Sequence, residues 1–132
     1  MSAQHAGEEL KKFYDAYLIA VNRSDWPALI GFFAYPWAWE SVPHAVKVLD
    51  DPAAFLQVIG KNAATLKERG WARSEVDNIS SWTTALDTAF LVAEVTRYRS
   101  DGGIVEHKRA RYSLRRDHGA WKIVSIIDSP LT

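Results

Sequence analysis

The chain contains no cysteine. That absence excludes disulfides, thiolate nucleophiles and sulfur-ligated metals, and it fits a reducing compartment. No stretch approaches the roughly 20 apolar residues that a membrane-spanning helix requires. Residues 1–7 also lack the basic start and apolar run of a secretory leader. A cytoplasmic protein without membrane association is the expectation. An excess of charge of either sign is missing too, because 16 Lys and Arg balance 16 Asp and Glu. The broad positive field that captures a phosphate backbone is therefore lacking, and nucleic acid is not an expected partner. Neither G-x-x-x-x-G-K-[ST] nor G-x-G-x-x-G occurs, so no nucleotide cradle is recognisable. The serine-hydrolase elbow Gly-x-Ser-x-Gly is absent as well. His5, His44, His107 and His118 are scattered, with no HxH or HExxH array among them. No metal and no cofactor are expected.

Apolar material, by contrast, is plentiful. Hydrophobic residues make up 48% of the 132, and six Trp, five Tyr and five Phe supply enough bulk for a core and for the lining of a cavity. No repeat, low-complexity tract or linker divides the chain, so residues 1–132 are expected to form a single domain.

Leu10, Phe13, Tyr14, Tyr17, Leu18 and Val21 recur at the spacing of one helical stripe and predict a long amphipathic first helix. Ser24 or Asp25 can cap a short second helix, with Pro27 in a first turn where its missing N–H does no harm. From Tyr35 to Leu49 the chain reads as an irregular hairpin, because Pro36 and Pro43 break helix and Trp37 alternates with Trp39. Asp50-Asp51-Pro52 starts a third helix whose stripe is Phe55, Ile59, Ala63 and Leu66, and Gly70 ends it. After Trp71 the period becomes two. Strands are predicted over about 74–83, 88–99, 104–116 and 120–128, joined by turns that include Asp101-Gly102-Gly103 and Asp117-His118-Gly119. Helices followed by a long meander imply an α+β fold.

This order of elements, with Ala20-Val21-Asn22-Arg23-Ser24-Asp25-Trp26, Phe32-Phe33-Ala34 and the closing Gly119-Ala120-Trp121-Lys122-Ile123-Val124, resembles the nuclear transport factor 2-like superfamily over nearly the whole chain. That superfamily includes ketosteroid isomerases, SnoaL-type polyketide cyclases, scytalone dehydratases and small subunits of ring-hydroxylating dioxygenases. The resemblance implies a cystatin-like cone, in which three N-terminal helices pack on a strongly curved, mostly antiparallel sheet. Compared with ketosteroid isomerase, Tyr17 falls at the position of the oxyanion-hole tyrosine. Ser41 stands where that enzyme has its aspartate base, with Glu40 beside it, and Ala110 or Tyr112 stands near the second aspartate. Two of three isomerase groups are thus absent, and that specific chemistry is not expected.

Residues two apart on a strand share a face. Phe90, Val92, Glu94, Thr96 and Tyr98 therefore share one, and the resemblance implies that it is the concave one. The same comparison turns Val124, Ile126 and Asp128 inward. Ala110, Tyr112 and Leu114 are the less polar side of their strand, opposite His107, Arg109 and Arg111. Glu94 or Asp128, held among Trp39, Phe90 and Tyr17, would have its carboxyl raised by desolvation into the range useful for acid–base work, with Tyr17 polarising a substrate carbonyl. The alternative is an ion pair or hydrogen bond to an arginine or tryptophan at the mouth. Trp39, Ser41, His44, Phe90, Thr96 and Tyr112 complete the expected ligand site, His44 as a proton shuttle or an exposed loop residue. The tryptophans either stack on a flat ligand or fill the core. The basic cluster Lys108, Arg109, Arg111, Arg115 and Arg116 is divided between two faces and reads as a solvated or interfacial strand.

Two functions follow. One is a cofactor-independent isomerase, cyclase, hydratase or hydrolase acting on a small hydrophobic or aromatic molecule. The other is a non-catalytic binding or assembly module, homodimeric through an outer sheet face of Ala89, Leu91, Ala93 and Val95, which would otherwise be an exposed apolar patch. A small subunit of a larger oxygenase is a third reading.

Overall fold

The computed structural model describes residues 3–41 and 46–131, with side chains from residue 7 onward. Helix α1 spans Ala3–Arg23, and its stripe buries Leu10 and Tyr14 almost completely while Phe13, Tyr17 and Val21 pack beside them. Helix α2 (Trp26–Ile30) begins where Asp25 Oδ1 accepts the Ala28 N–H at 3.3 Å, with Pro27 in the first turn. Strands β1 (Phe33–Ser41) and β2 (Val46–Leu49) pair antiparallel, Trp37 opposite Leu49. Helix α3 (Pro52–Glu68) is capped by Asp51, whose Oδ1 accepts the Ala54 N–H at 2.8 Å. Gly70, at φ +96°, turns the chain out of α3 through a backbone region that other residues avoid.

Strands β3 (Trp71–Ala85), β4 (Thr88–Arg99), β5 (Ile104–Asp117) and β6 (Ala120–Pro130) form the expected antiparallel meander. His118 and Gly119, at φ 49° and 83°, close the last hairpin between the paired residues Asp117 and Ala120, as a tight two-residue turn with both central φ positive requires.

The cone is not what forms. The six strands lie in the order β2-β1-β6-β5-β4-β3, an open sheet with β2 and β3 at its edges that neither closes nor curves strongly. It is mixed, because β1 runs parallel to β6, with Trp39 beside Ile126 and Ser41 beside Asp128. Nor do three helices precede the sheet, since α3 follows β1 and β2 in the chain. Turn chemistry fixes which consecutive strands pair. It carries no information about the partner that β1 finds almost ninety residues later.

A second correction concerns β4. Its buried face is Ala89, Leu91, Ala93 and Val95, each 3% exposed or less, packed with Ala110, Tyr112 and Leu114 of β5 and with Leu10 and Tyr14 of α1. Phe90, at 48% exposure, and Glu94 stand on the other side. Alternation had grouped these residues correctly, while the resemblance turned the wrong group inward. The physical signal was the composition of the two groups. Ala89-Leu91-Ala93-Val95 is wholly apolar, whereas Phe90-Val92-Glu94-Thr96-Tyr98 carries a carboxylate and a hydroxyl that prefer a partner or water. A dimer through the Ala89–Val95 face is thereby ruled out, because that face is the core.

Candidate functional site

Between α1, α2 and α3 and the inner face of the sheet lies a cavity of about 110 Å³. Its wall has two ends of different chemistry. Trp26, Phe33, Trp37 and Phe55 supply an apolar end, in which the Phe33 ring lies 4.3 Å from that of Trp37 and 5.0 Å from that of Phe55. Tyr17, Tyr112, Arg97, Lys108 and Asp128 supply the polar one.

Asp128 organises the polar end. Its Oδ2 accepts the Trp39 Nε1–H at 2.7 Å, and its Oδ1 accepts from Lys108 Nζ at 2.9 Å. Burial alone would push this carboxyl up. The Lys108 ammonium and its hydrogen bond, the Trp39 N–H and the Arg97 charge together outweigh burial and hold the carboxyl below its ordinary value of 3.8. Asp128 is therefore a carboxylate at neutral pH, an acceptor of protons and not a stored acid. Lys108 is pulled below its ordinary 10.5 by burial, against the opposing pull of Asp128. Arg97 is held by Glu106, which also lies 3.6 Å from Arg69 Nη2.

The phenols form a cluster. The Tyr14 and Tyr112 hydroxyls are 3.3 Å apart, and the Tyr17 ring packs edge-on against Tyr112 at 5.9 Å. Burial pushes Tyr14 up to about 12, and Tyr17 and Tyr112 are also raised, first by burial and then by the neighbouring phenols and the Asp128 charge. All three stay neutral across the physiological range and act as hydrogen-bond donors. Outside the lining itself, Asn22 ties α1 to β3. Its Oδ1 accepts the Ser74 N–H at 2.7 Å and its Nδ2 donates to the Ser74 carbonyl at 3.0 Å, while Ser74 Oγ accepts Trp71 Nε1–H at 2.9 Å and so fixes that indole in the wall.

Of the residues expected from sequence, Tyr17, Trp39, Tyr112 and Asp128 come together at this cavity. Ser41 shares the β1 face of Trp39 and pairs with Asp128 in register, but it does not line the cavity. His44 lies outside the described residues. Glu94, Phe90 and Thr96 are on the opposite face of the sheet, where Glu94 lies 3.6 Å from Arg109 Nη2 and Thr96 Oγ1 meets Asp77 Oδ2 and, at 2.9 Å, His107 Nδ1. Carboxyl raising by desolvation, expected for Glu94 or Asp128, does not occur at Asp128; the ion-pair alternative is the one found, with lysine in place of arginine. Lys108 and Arg97 were missed as site residues, whereas Trp37 and Trp71, read as stacking on a flat ligand or filling the core, line the cavity. Lys108 was legible, because it is two residues before Ala110 and four before Tyr112 on the same face. Among the described residues no group of three or more His, Asp or Glu could hold a metal ion, and no helix is long and apolar enough to cross a membrane.

The sequence pattern of the family described as NTF2-like protein (DUF6841) matches residues 8–131. No curated protein matches the chain. Among solved structures, an NTF2-like protein with a cystatin-like fold from Novosphingobium aromaticivorans is 21% identical, with a TM-score of 0.74 over 94% of this chain and 80% of the other. An NTF2-like protein of unknown function from Pseudomonas putida is 16% identical, with a TM-score of 0.75 over 98% and 89%. A ketosteroid isomerase-like protein from Erwinia carotovora atroseptica is 19% identical, with a TM-score of 0.67 over 95% of each chain. Likenesses at these identities establish the fold alone.

Proposed function

We propose, for a chain that belongs to the NTF2-like family (DUF6841), that the cavity binds a small hydrophobic molecule and moves a proton on it without a cofactor. One observation carries this reading: an ionised carboxylate, Asp128, lines a largely apolar cavity together with the neutral phenols of Tyr17 and Tyr112. A base and hydrogen-bond donors on one small volume are what proton abstraction beside a carbonyl needs, since the donors stabilise the negative oxygen that develops as the proton leaves. Asp128, tied to Lys108 and Trp39, is a weak base, so modest rates are expected.

The test is deuterium exchange of the acidic C–H bonds of cyclohexanone in heavy water. Wild-type protein is expected to accelerate exchange, and Asp128→Asn to lose about 100-fold of that acceleration, with Tyr17→Phe also slower. Equal rates for wild type and Asp128→Asn, each shown folded by circular dichroism, would exclude Asp128 as the base.

A second reading, assembly through the sheet, has its own observation. Trp82 and Phe90 are directly opposite each other across β3 and β4, at 54% and 48% exposure. Two large rings side by side on a helix-free face are the kind of patch that a second copy covers. Light scattering at roughly micromolar concentration is expected to give a dimer that Phe90→Lys converts to monomer. A wild-type monomer removes this reading and leaves the cavity reading intact.

A further inference from the structure

Lys108 is the lysine that lines the cavity. Lys11, Lys12, Lys47, Lys61 and Lys67 are exposed, and Lys122 turns its ammonium to the Gly31 carbonyl. On β5, Lys108 shares the face of Ala110 and Tyr112, two core residues, so it is carried on the inner side of the sheet with its side chain 15% exposed. Its ammonium has three N–H bonds, and one of them meets an acceptor, Asp128 Oδ1 at 2.9 Å. The other two have no acceptor among the described residues. Burial draws this amine below its ordinary 10.5, which raises the share of free base. The free base is the nucleophilic form, and desolvation in an apolar pocket is one way in which proteins generate it.

Asp128 is a weak base and a C–H bond beside a ketone is a weak acid, so direct transfer between them is slow. A protonated imine in place of the ketone puts a positive nitrogen next to that C–H bond and makes it far more acidic. We propose that Lys108 Nζ condenses with the carbonyl of a ketone held in the cavity, forming a protonated imine from which Asp128 removes the adjacent proton. This rests on the cavity being a site for a carbonyl compound, and it makes Lys108 a catalytic residue.

The step balances within the pair. Asp128 takes a proton from the ammonium along their 2.9 Å hydrogen bond, and the freed lone pair adds to the carbonyl carbon while the C=O π pair moves to oxygen. A proton then shifts from nitrogen to that oxygen, and Asp128 returns its own proton as the hydroxyl leaves as water. The product is a positive C=N–H beside a carboxylate, so the charge pairing of Asp128 is kept. Loss of the adjacent proton to Asp128 gives a neutral enamine. Reprotonation at carbon, followed by addition of water to the imine, releases the ketone and restores the ammonium.

Oxygen exchange separates this route from direct proton removal. Imine formation and hydrolysis replace the ketone oxygen with that of water, whereas direct removal leaves it in place. In oxygen-18 water, wild-type protein is expected to accelerate label entry into cyclohexanone. Lys108→Arg keeps a positive charge beside Asp128 without a nucleophilic amine, and it is expected to return exchange to the protein-free rate. Cyclohexanone with cyanoborohydride is expected to leave a cyclohexyl group on wild-type protein, found by peptide mapping on Lys108 at least about tenfold more often than on any other lysine. Accelerated deuterium exchange without oxygen exchange overturns the inference and leaves the cavity reading standing. Oxygen exchange that survives Lys108→Arg, or a cyclohexyl label spread over the exposed lysines, does the same. Oxygen exchange without deuterium exchange also overturns it, because the imine then leads to no proton transfer. Acceleration of neither exchange overturns both this inference and the reading beneath it. Should Lys108→Arg not fold, the labelling map of wild-type protein decides: a label concentrated on Lys108 upholds the imine, and its absence there contradicts it.

Discussion

Lys108→Met lowers the stability of the protein by about 3 kcal/mol in urea denaturation. Methionine keeps the length of the stem and removes the charge, so packing is nearly conserved and the loss comes from Asp128. The side chains are only 15% and 19% exposed, and the 2.9 Å contact from Lys108 is the strongest force opposing the desolvation of that carboxylate. Without the ammonium, burial prevails and the Asp128 carboxyl moves up. Asp128→Asn is expected to cost a similar amount, because it leaves Lys108 charged at the same place, although asparagine can still accept from Trp39. The double variant Lys108→Met with Asp128→Asn should cost clearly less than the two singles combined, since neither charge is then left without its partner. Single-variant losses below about 0.5 kcal/mol, the size typical of exposed pairs, would mean that water reaches this pair freely.

Stability collapses in alkali. Tyr14, Tyr17 and Tyr112 keep their protons in the folded state to higher pH than in the unfolded chain, where phenols ionise near 10.0. The unfolded state therefore binds fewer protons above that pH, and stability falls as pH rises; the contribution is complete below pH 10.0 and is lost on the way to the folded-state values. Three phenols acting together give a slope of about 4 kcal/mol per pH unit once the unfolded chain is ionised, enough to unfold a domain of ordinary stability within two or three units. Tyr35, also raised to about 12 by burial and hydrogen-bonded to the Ile30 carbonyl, acts in the same sense. Lys108 acts in the opposite sense. Its folded value is depressed, so stability rises with pH between that value and 10.5, and the phenols dominate above. Urea titrations at a series of alkaline pH values, with phenolate absorbance recorded in parallel, check this. The expected result is a group of tyrosines that ionises only as the protein unfolds; independent ionisation of all five in the folded state contradicts it.

What the sequence made legible follows the range of the interactions involved. The α1 stripe, the Asp51 cap with Pro52 behind it, and the glycine-bearing turns at 101–103 and 117–119 are local, and each is present as read. The β3–β4 turn at Leu86-Asp87 has no glycine and gave no specific signal. Pairing of β1 with β6 joins distant parts of the chain, so the mixed and open character of the sheet was beyond local patterning. Period-two alternation grouped Asp128 with Ile126 and Tyr112 with Ala110 correctly, and the Lys108 position was available from the same rule. It was hidden by standing in the basic run from His107 to Arg111. Assigning the β4 faces by resemblance placed Glu94 and Phe90 wrongly, where the apolar composition of Ala89–Val95 argued for the reverse. In β6 the pairing irregularity near Ser113 lets Ile123 and Ile126, three apart, both be buried, which strict alternation cannot anticipate.

The account turns on Asp128 being a carboxylate held by Lys108 and Trp39 beside neutral phenols. Carbon-13 NMR of the labelled Asp128 carboxyl, followed through an acid titration of the folded wild-type protein, measures this at the atom concerned. The midpoint is expected below the ordinary 3.8, and the stability that this pair contributes should be complete above that pH and disappear as pH falls through the folded value. A midpoint above 3.8 would show that burial prevails over Lys108 and Trp39, and would contradict the account.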